Sequence, residues 1–493
     1  MHNESTRKKR SKGIAIVLTT LTLSITLPLA GLGFDVATLY LIKSKLGAAA
    51  DSASLAGARA LSQGATQGAQ TASAIGTAQS YFSGNFPAGY WRTTGASATV
   101  TVDDTSIPNY RSVNVNATVQ APLYFLRVFN QQASTINVTA TAGRRDVLMM
   151  MVLDRSSSMN GVVAGTGQTA CALMKVDAAN FVSYFAPGRD QIGLVAFGSS
   201  VYFYPSTTNF TTPDANGNTI PSLIGQLTCN ENTSSAAAIA RAYQELTAVN
   251  NPNRMNVIMF MTDGRPNGVT ADYSTVQVNG KCSLPVGTPG VIAQWAGGAV
   301  TSGNTAGVMS ATTTSITFPN DGYGISGSSN CQFNQSNNTA LTNVRSDIPN
   351  LPATDYFNNS TLGPYSQANS ATWPYTTPFN PVGAVSIPQQ IVVASANVLD
   401  NEATQVRTNT TLNPFIYDIA LMGNGPVDDM PDTLLLQKIA NDPALAGQTG
   451  IGQTFYQQQI NQPHGYFAIA PNASQLGVAF DTIAEQISIR LAR

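Results

Sequence analysis

The chain has 493 residues, with 25 Lys and Arg against 26 Asp and Glu, and a formal net charge of −1. At this length we expect two or three domains with sizeable cores, and the charge balance excludes the basic surface that nucleic-acid binding needs. Charged residues make up 10% of the chain, well below the roughly 25% of ordinary soluble domains. Small polar residues take their place, a composition associated with exported proteins.

A basic tail at residues 1–12 precedes an uncharged apolar stretch, residues 13–34, which is long enough to cross a bilayer as a helix. Pro28 lies inside this stretch, where a membrane helix tolerates proline. The positive-inside rule then predicts a cytoplasmic N-terminus and places everything after Asp35 outside the cytoplasm. A cleaved signal peptide and a pilin-type leader are the alternatives. The sequence favours an uncleaved anchor, because it has no clear cleavage site and lacks the Glu of pilin-type leaders.

The helical pattern continues past the apolar stretch. Residues 35–61 contain no proline and repeat apolar side chains at helical spacing: Leu39, Ile42, Leu46, Ala49, Ala53 and Ala56. The many small residues permit close approach of another helix. This face can pack within its own domain or against a partner in an assembly, and the pattern does not choose between them.

Three segments of this region carry a family resemblance. They are Gly13-Ile-Ala-Ile, Gly33-Phe-Asp-Val-Ala-Thr-Leu-Tyr-Leu and Lys45-Leu-Gly-Ala-Ala-Ala-Asp-Ser-Ala-Ser-Leu-Ala-Gly-Ala. Residues 13–62 thereby resemble the N-terminal module of TadG-type proteins of bacterial Tad (Flp) pilus assembly. The resemblance implies a single-pass protein of the bacterial inner membrane with its bulk periplasmic or extracellular. It also implies pilus or secretion-apparatus subunits as partners.

Residues 35–144 predict a small TadE/TadG-like domain of the α+β class. A second helix is expected at residues 63–84, and alternating runs predict half-buried strands at 97–102, 112–119 and 134–141. Residues 121–129 fit a short helix with proline in its first turn. No catalytic set of residues occurs in this domain.

Two apolar runs, residues 146–153 and 255–262, predict strands buried on both faces, as in a parallel sheet covered by helices. The first run leads into an Asp-x-Ser-x-Ser motif, the second ends at an Asp, and a Thr stands where an Ala-rich helix begins. Oxygen ligands of this kind suit a hard cation such as Mg²⁺. The five side chains are Asp154, Ser156, Ser158, Thr233 and Asp263. The alternative is a polar loop that caps a helix.

This set of residues resembles the von Willebrand factor A domain and its metal-ion-dependent adhesion site. The chain departs from the family at residues 230–232, which are Asn-Glu-Asn where the family often has Gly-Gly. The resemblance implies that Ser156, Ser158 and Thr233 bind Mg²⁺ directly, and that the two aspartates bind it directly or through water. Mn²⁺ and Ca²⁺ are alternative ions. It also implies an open coordination position for an acidic side chain of a protein partner.

Strands alternating with helices predict a doubly wound, Rossmann-like α/β domain over residues 145–493. Residues 265–386 interrupt it with a Gly, Ser, Thr, Asn and Pro-rich insertion. The alternating run at 315–318 suggests that the insertion is β-rich. It leaves the sheet directly after Asp263, at the edge where open α/β sheets bind ligands. We therefore expect a wall or lid beside the metal, with a surface loop of no binding role as the alternative.

The four cysteines are Cys171, Cys229, Cys282 and Cys331. No Cys-x-x-Cys occurs and no His is near them, which argues against zinc and thioredoxin-like chemistry. An even number in an exported chain suggests disulfides. Cys171 and Cys229 are both expected near the metal face, so we predict that they pair and that Cys282 pairs with Cys331. Four free thiols are the alternative.

The residues favour binding over catalysis. The only histidines are His2 and His464, so neither a Ser-His-Asp triad nor a His-Glu-x-x-His site is available. Metal-assisted hydrolysis by the two aspartates is the remaining enzymatic reading. Two functions follow: a pilus assembly component that grips a protein subunit through the metal, or a surface adhesin that binds a host or matrix ligand. A chelatase-like role would need a cytoplasmic domain, which the expected topology contradicts.

Overall fold

The computed structural model divides the chain into two compact units, Met1–Arg144 and Arg145–Leu491. The structure describes residues 5–163, 165–230, 232–273, 287, 289–295, 304–317, 351–363, 365–366, 388–422 and 430–491. Each unit has a hydrophobic core of its own.

The N-terminal unit joins two helices to a three-stranded sheet. Its elements are α1 (Ser5–Ala60), α2 (Gln67–Asn85), β1 (Thr94–Asp103), β2 (Tyr110–Pro122) and β3 (Ala133–Arg145). The strand order is β1-β2-β3, and β1 pairs antiparallel with β2. At 1.5 Å per residue, the 56 residues of α1 extend over about 84 Å.

The two ends of α1 have different surroundings. Its membrane-length part is one candidate span within Ile14–Ala60, and the apolar window there has a mean hydropathy of 1.9 with no residue buried in the protein. Further along, Ile42, Leu46, Ala49 and Ala53 are buried against α2 and β2. The structure therefore confirms the first of the two alternatives, in which this face of the helix packs within its own domain.

The short helix predicted at residues 121–129 is wrong over most of its length. Strand β2 continues to Pro122, and a 3-10 helix follows only at Leu126–Phe129. The reason is nonlocal, because the carboxylate of Asp35 accepts hydrogen bonds from the backbone N–H groups of Tyr124, Phe125 and Leu126. This contact holds the segment against α1.

The second unit is a seven-stranded sheet covered by helices on both faces, so the predicted α/β fold class is confirmed. Its strand order is β11-β6-β5-β4-β7-β12-β13. The bounds are β4 Val147–Asp154, β5 Gln191–Phe197, β6 Val201–Thr207, β7 Met255–Thr262, β11 Thr312–Thr313, β12 Phe415–Leu421 and β13 Tyr466–Ala470. Strands β5, β4, β7, β12 and β13 run parallel, and β6 is antiparallel to β5.

The sequence of β4 explains why both faces are covered. All eight of its residues are buried, and successive side chains point to opposite faces. Met149 and Met151 enter a core with α3 (Ala170–Val182), α4 (Ile220–Gln226) and α9 (Leu476–Leu491). Leu148 and Met150 enter a second core on the other face. The helices there are α5 Ser235–Val249, α6 Pro388–Thr408, α7 Thr433–Ala440 and α8 Ile451–Gln459.

The described part of the insertion is β-rich, as predicted, but its described strands lie outside residues 315–317. Strands β8 (Gly268–Asp272), β9 (Pro289–Trp295) and β10 (Asn304–Ser310) form a small sheet of order β10-β9-β8. Strand β11 then joins the main sheet beside β6, and residues 315–317 are not in a strand. The predicted pair Cys282–Cys331 lies outside the described residues.

Candidate metal centre

Strands β4 and β7 are neighbours in the middle of the main sheet, and both end at the candidate site. The order of β6, β5, β4, β7, β12 and β13 matches the 3-2-1-4-5-6 order of doubly wound folds. The chain reverses its direction of winding between β4 and β7. Ligands of such folds bind in the crevice at this point, beyond the carboxyl ends of the strands.

Three of the predicted side chains meet here. The Ser156 Oγ and Ser158 Oγ atoms are 2.9 Å apart, and they lie 3.2 and 2.7 Å from Asp263 Oδ1. Ser156 and Asp263 are buried, while Ser158 is partly exposed. Loop residues after β4 and the residue after β7 therefore form a triangle of oxygen atoms that opens toward solvent at Ser158.

This triangle is rich in oxygen lone pairs and poor in protons. Two serine hydroxyls supply two protons, but the triangle has three close oxygen–oxygen contacts, and an ionised Asp263 supplies none. Adjacent ligands of an octahedron with bonds of about 2.1 Å lie about 3.0 Å apart. The three separations fit one face of such an octahedron, and the hard oxygen donors are those that Mg²⁺ prefers.

Asp154 lies behind this triangle. It is the last residue of β4 and is fully buried, and it accepts hydrogen bonds from the Ser156 backbone N–H at 2.7 Å and the Thr262 hydroxyl at 2.6 Å. Burial raises the pKa of the Asp154 carboxyl, and these hydrogen bonds oppose the rise. Each oxygen of the Asp154 carboxylate accepts a hydrogen bond from a protein group, and the bond from Ser156 fixes the turn that presents Ser156.

Thr233 reaches the same edge through a different set of contacts. Its backbone N–H donates to the Asn267 side chain at 2.7 Å, and its carbonyl accepts from the Asn267 backbone at 3.0 Å. The Asn230 backbone N–H donates to the Arg155 carbonyl at 2.8 Å, which joins the Thr233 loop to the Asp154 loop. Among the described residues no hydrogen bond links the Thr233 hydroxyl to the oxygen triangle. The structure thus brings three predicted ligands into contact, with Asp154 hydrogen-bonded to Ser156 and with Thr233 on a loop that is hydrogen-bonded to Arg155.

Several positioning residues escaped the sequence analysis. Arg155 is fully buried and donates to Ser200 Oγ and to the Ile316 carbonyl of the insertion, both at 3.4 Å. Asn232 donates to Ser199, so an Asn at a position where the family often has Gly ties this loop to the turn between β5 and β6. The one signal in the sequence is Thr262, which ends a largely apolar strand and donates its hydroxyl hydrogen bond to Asp154. The remaining contacts join residues far apart in sequence.

The insertion contacts residues of the site at two described points. Asn267, which accepts the Thr233 backbone N–H, directly precedes β8, and the carbonyl of Ile316, which follows β11, accepts a hydrogen bond from Arg155. The predicted disulfide between Cys171 and Cys229 is confirmed, and it joins α3 to the loop before Thr233. Asn160 also donates to the Cys229 carbonyl. These contacts join the loop after β4, the loop before α5 and the segment after β7.

His464 lies in a different environment. Its Nδ1 is 3.3 Å from the Asn441 carbonyl, and its ring stacks on Tyr456 with the centroids 5.7 Å apart. No group of three or more His, Cys, Asp and Glu side chains able to hold a metal is found in the described part of the chain. The candidate centre depends on serine and threonine hydroxyls instead.

Comparison with known proteins identifies two regions. Residues 149–265 match the von Willebrand factor type A domain family, and residues 13–60 match the putative Flp pilus-assembly TadE/G-like family. The first match ends where the insertion begins, so β12 and β13 are assigned to the same domain by their pairing in the sheet. Among curated protein sequences, none matches this chain.

Solved structures with low similarity include three pilus proteins. The PilB minor pilin of Streptococcus sanguinis is 13% identical over 80% of this chain and 79% of its own, with a TM-score of 0.34. The pilus adhesin SpaC of Lactobacillus rhamnosus GG is 13% identical over 80% of this chain and 35% of its own, with a TM-score of 0.36. The vWF domain of the type V pili tip protein Mfa5 of Porphyromonas gingivalis is 16% identical over 71% and 97%, with a TM-score of 0.35.

Proposed function

We propose that this chain, in which a TadE/G-like segment and a von Willebrand factor type A domain follow one another, is a membrane-anchored component of Tad pilus assembly that binds a protein partner through a divalent metal. The observation that carries the proposal is the oxygen triangle of Ser156, Ser158 and Asp263. Thr233 would complete the ligand set, and Asp154 would orient the loop. Mg²⁺ is the proposed ion, with Mn²⁺ and Ca²⁺ as alternatives.

Binding of a partner follows from the charge of the ligands. Ser and Thr hydroxyls are neutral and Asp263 supplies one negative charge, so a bound divalent cation keeps a net positive charge and offers an open position to an acidic side chain. Ser158 is partly exposed and lies on the side from which such a group can arrive. Among the described residues no histidine is found at the site, because His464 contacts Asn441 and Tyr456, and this supports a binding role rather than catalysis.

Orientation is a further part of the proposal. The basic residues of the N-terminal tail precede the candidate span, which supports a cytoplasmic N-terminus and a periplasmic or extracellular A domain. A reporter enzyme fused after Arg493 tests this. Activity only for a reporter that functions outside the cytoplasm supports the topology, and activity of a cytoplasmic reporter contradicts it.

The site is tested by calorimetric titration of the 145–493 fragment with Mg²⁺ and Mn²⁺. We expect the paired change Ser156→Ala and Ser158→Ala to weaken binding about 100-fold or more, since both direct ligands are lost. Thr233→Ala and Asp154→Ala should weaken it about 10-fold or more. The matched control is Ser157→Ala, an exposed hydroxyl of the same loop. Equal binding by the control and the paired variant would remove the metal from the proposal.

A pull-down from envelope extracts with the full chain then tests the partner. We expect capture of a pilus or secretion-apparatus subunit that is lost with a chelator and lost with the paired serine variant. Capture that is insensitive to both would show that the partner binds elsewhere.

A further inference from the structure

The segment between β2 and β3 presents apolar side chains to solvent at one end of the N-terminal unit. Val128 is 79% exposed and Phe129 is 64% exposed. Trp91 (43%) and Phe34 (52%) are exposed nearby, since Tyr124 donates its hydroxyl hydrogen bond to the Trp91 carbonyl and stacks edge-on against Phe34. We call residues 124–129 together with Trp91 the aromatic loop.

The aromatic loop is fixed to α1 at the point where the apolar stretch ends. The Asp35 carboxylate is buried and accepts the backbone N–H groups of Tyr124 at 2.8 Å, Phe125 at 3.0 Å and Leu126 at 2.8 Å. Hydrogen bonds to an ionised carboxylate are about twice as strong as neutral ones. The loop therefore has a defined height along the helix.

At this height the Phe125 ring of the loop lies beside the candidate membrane span. A Cβ atom added at Gly31 would collide with the ring of Phe125, so this ring lies directly on the helix backbone. Gly31 precedes Asp35 by four residues, or about 6 Å along the axis toward the bilayer. The Phe129 ring is 6.4 Å from the Phe125 ring, centroid to centroid. The exposed Phe129 thus lies beside the last turn of the apolar stretch.

The opposite end of the same unit is different in character. Strand β2 runs back along α1, so that Val113 lies against Gly57 and Arg111 donates to the Leu61 carbonyl at 3.3 Å. The β1–β2 turn at this far end carries Ile107, which is 55% exposed, among polar neighbours. Exposed aromatic side chains therefore gather at the end next to the span.

We propose that the aromatic loop is a second membrane contact, which inserts its Phe, Tyr and Trp side chains into the lipid interface where α1 leaves the bilayer. This inference rests on the proposed anchoring by α1. Trp and Tyr are enriched at such interfaces, because each has an apolar body and a polar tip. Arg127, exposed on the same loop, can meet lipid phosphates. The loop and Asp35 together fix the depth and tilt of α1.

The test places tryptophan at three positions of the full chain in phosphatidylcholine vesicles and measures quenching by lipids brominated on the upper acyl chain. The variants are Phe129→Trp, Ile107→Trp as the far-end control of similar exposure, and Leu23→Trp inside the span. Emission of the parent protein, which has three tryptophans, is subtracted. We expect Phe129→Trp to be quenched at least about twice as strongly as Ile107→Trp.

The outcomes separate the loop from the anchor. Quenching of Leu23→Trp without extra quenching of Phe129→Trp leaves the anchor in place and overturns the membrane-contact inference. A blue-shifted but unquenched Phe129→Trp indicates that a second copy or another protein covers the loop, and it also overturns the inference. Absence of quenching at Leu23→Trp contradicts anchoring itself, and the inference falls with it.

Discussion

Two buried aspartates organise loops in this protein, and they do so with different donors. Asp35 accepts three backbone N–H groups, whereas Asp263 is contacted by the hydroxyls of Ser156 and Ser158. A backbone N–H can only donate, while a hydroxyl both donates and offers lone pairs. The Asp35 contact can therefore serve only structure, but the hydroxyls around Asp263 can turn their lone pairs toward a cation.

Other buried carboxylates differ in their donors: Asp355 accepts the backbone N–H groups of Phe357 and Asn359 as well as a side-chain amide, whereas Glu402 accepts the amide alone among the described residues. Asp355 and Glu402 share the side-chain amide of Asn359, at 3.2 and 2.6 Å. Asp418, in the middle of β12, has no hydrogen-bond donor among the described residues. Burial raises the pKa of Glu402 to about 7, of Asp355 to about 6 and of Asp418 well above its usual range. The raised pKa values follow from the burial of these carboxyls, and the hydrogen bonds to Asp355 and Glu402 oppose the rise.

The largest expected effect is at Asp35, whose carboxylate accepts three backbone hydrogen bonds. Asp35→Ala leaves three N–H groups without their charged acceptor, so we expect the N-terminal unit to lose about 3 to 5 kcal/mol of unfolding free energy. Hydrogen exchange of residues 122–130 in detergent micelles measures this loss. Asp51→Ala, at an exposed carboxylate of the same helix, is the control and should change exchange little. Equal protection in both variants would refute the role given to Asp35.

At Asp263, which is contacted by two serine hydroxyls, the effect on stability should depend on the metal. With Mg²⁺ at 100 times its dissociation constant, we expect the 145–493 fragment to gain about 2.7 kcal/mol of unfolding free energy. The paired change of Ser156 and Ser158 to Ala should abolish the gain, which denaturant unfolding with and without Mg²⁺ measures. Ser157→Ala should keep it. A gain of the same size in the paired variant would place any bound ion elsewhere.

Asp355 and Glu402, which share the Asn359 amide, should make the unfolding free energy depend on pH. Because its carboxyls hold protons in the folded state that they release when unfolded, their contribution to stability falls as the pH rises from about 4 to about 7. Glu402→Gln removes the buried charge and keeps the acceptor for Asn359. We expect the variant to be more stable than the parent by about 2 kcal/mol at pH 8 and nearly equal at pH 4.5.

Guanidinium unfolding of the 145–493 fragment at the two pH values measures this difference. Glu485→Gln, at an exposed helical position, should show no such pH dependence. A Glu402→Gln variant that is less stable than the parent at pH 8 would show that the carboxylate is ionised and stabilising.

The smallest effect is expected at Asp418, where burial raises the pKa of the carboxyl and no described donor contacts it. A protonated Asp418 resembles an asparagine in shape and charge, so Asp418→Asn should change the unfolding free energy by less than about 1 kcal/mol at pH 7. Thermal unfolding of the same fragment measures it. Destabilisation by several kcal/mol would mean that Asp418 is charged and paired.

The local patterns were sufficient for most of the sheet. The apolar runs before Asp154 and Asp263 became β4 and β7, and the spacing of oxygen-bearing residues brought Ser156, Ser158 and Asp263 together. The predicted Cys171–Cys229 disulfide also formed, because both cysteines lie at the same end of the sheet. These features depend on residues near one another in sequence or on the common edge of parallel strands.

The remaining features depend on contacts between distant residues. Helices α4 and α8 were not predicted, since α8 is Gln-rich and has few apolar side chains. The conformation of residues 121–129 depends on hydrogen bonds to Asp35, about 90 positions away. The two-residue strand β11 forms only because β6 offers a free edge. Asn267, which positions Thr233, has no local signature.

The most direct test of the central claim is a crystal structure of the 145–493 fragment grown with Mn²⁺ and measured at the manganese absorption edge. The account predicts one anomalous peak within about 2.2 Å of the Ser156 and Ser158 hydroxyl oxygens, on the side open to solvent. A map with no peak beside Ser156, Ser158 and Asp263 at saturating Mn²⁺ would contradict it.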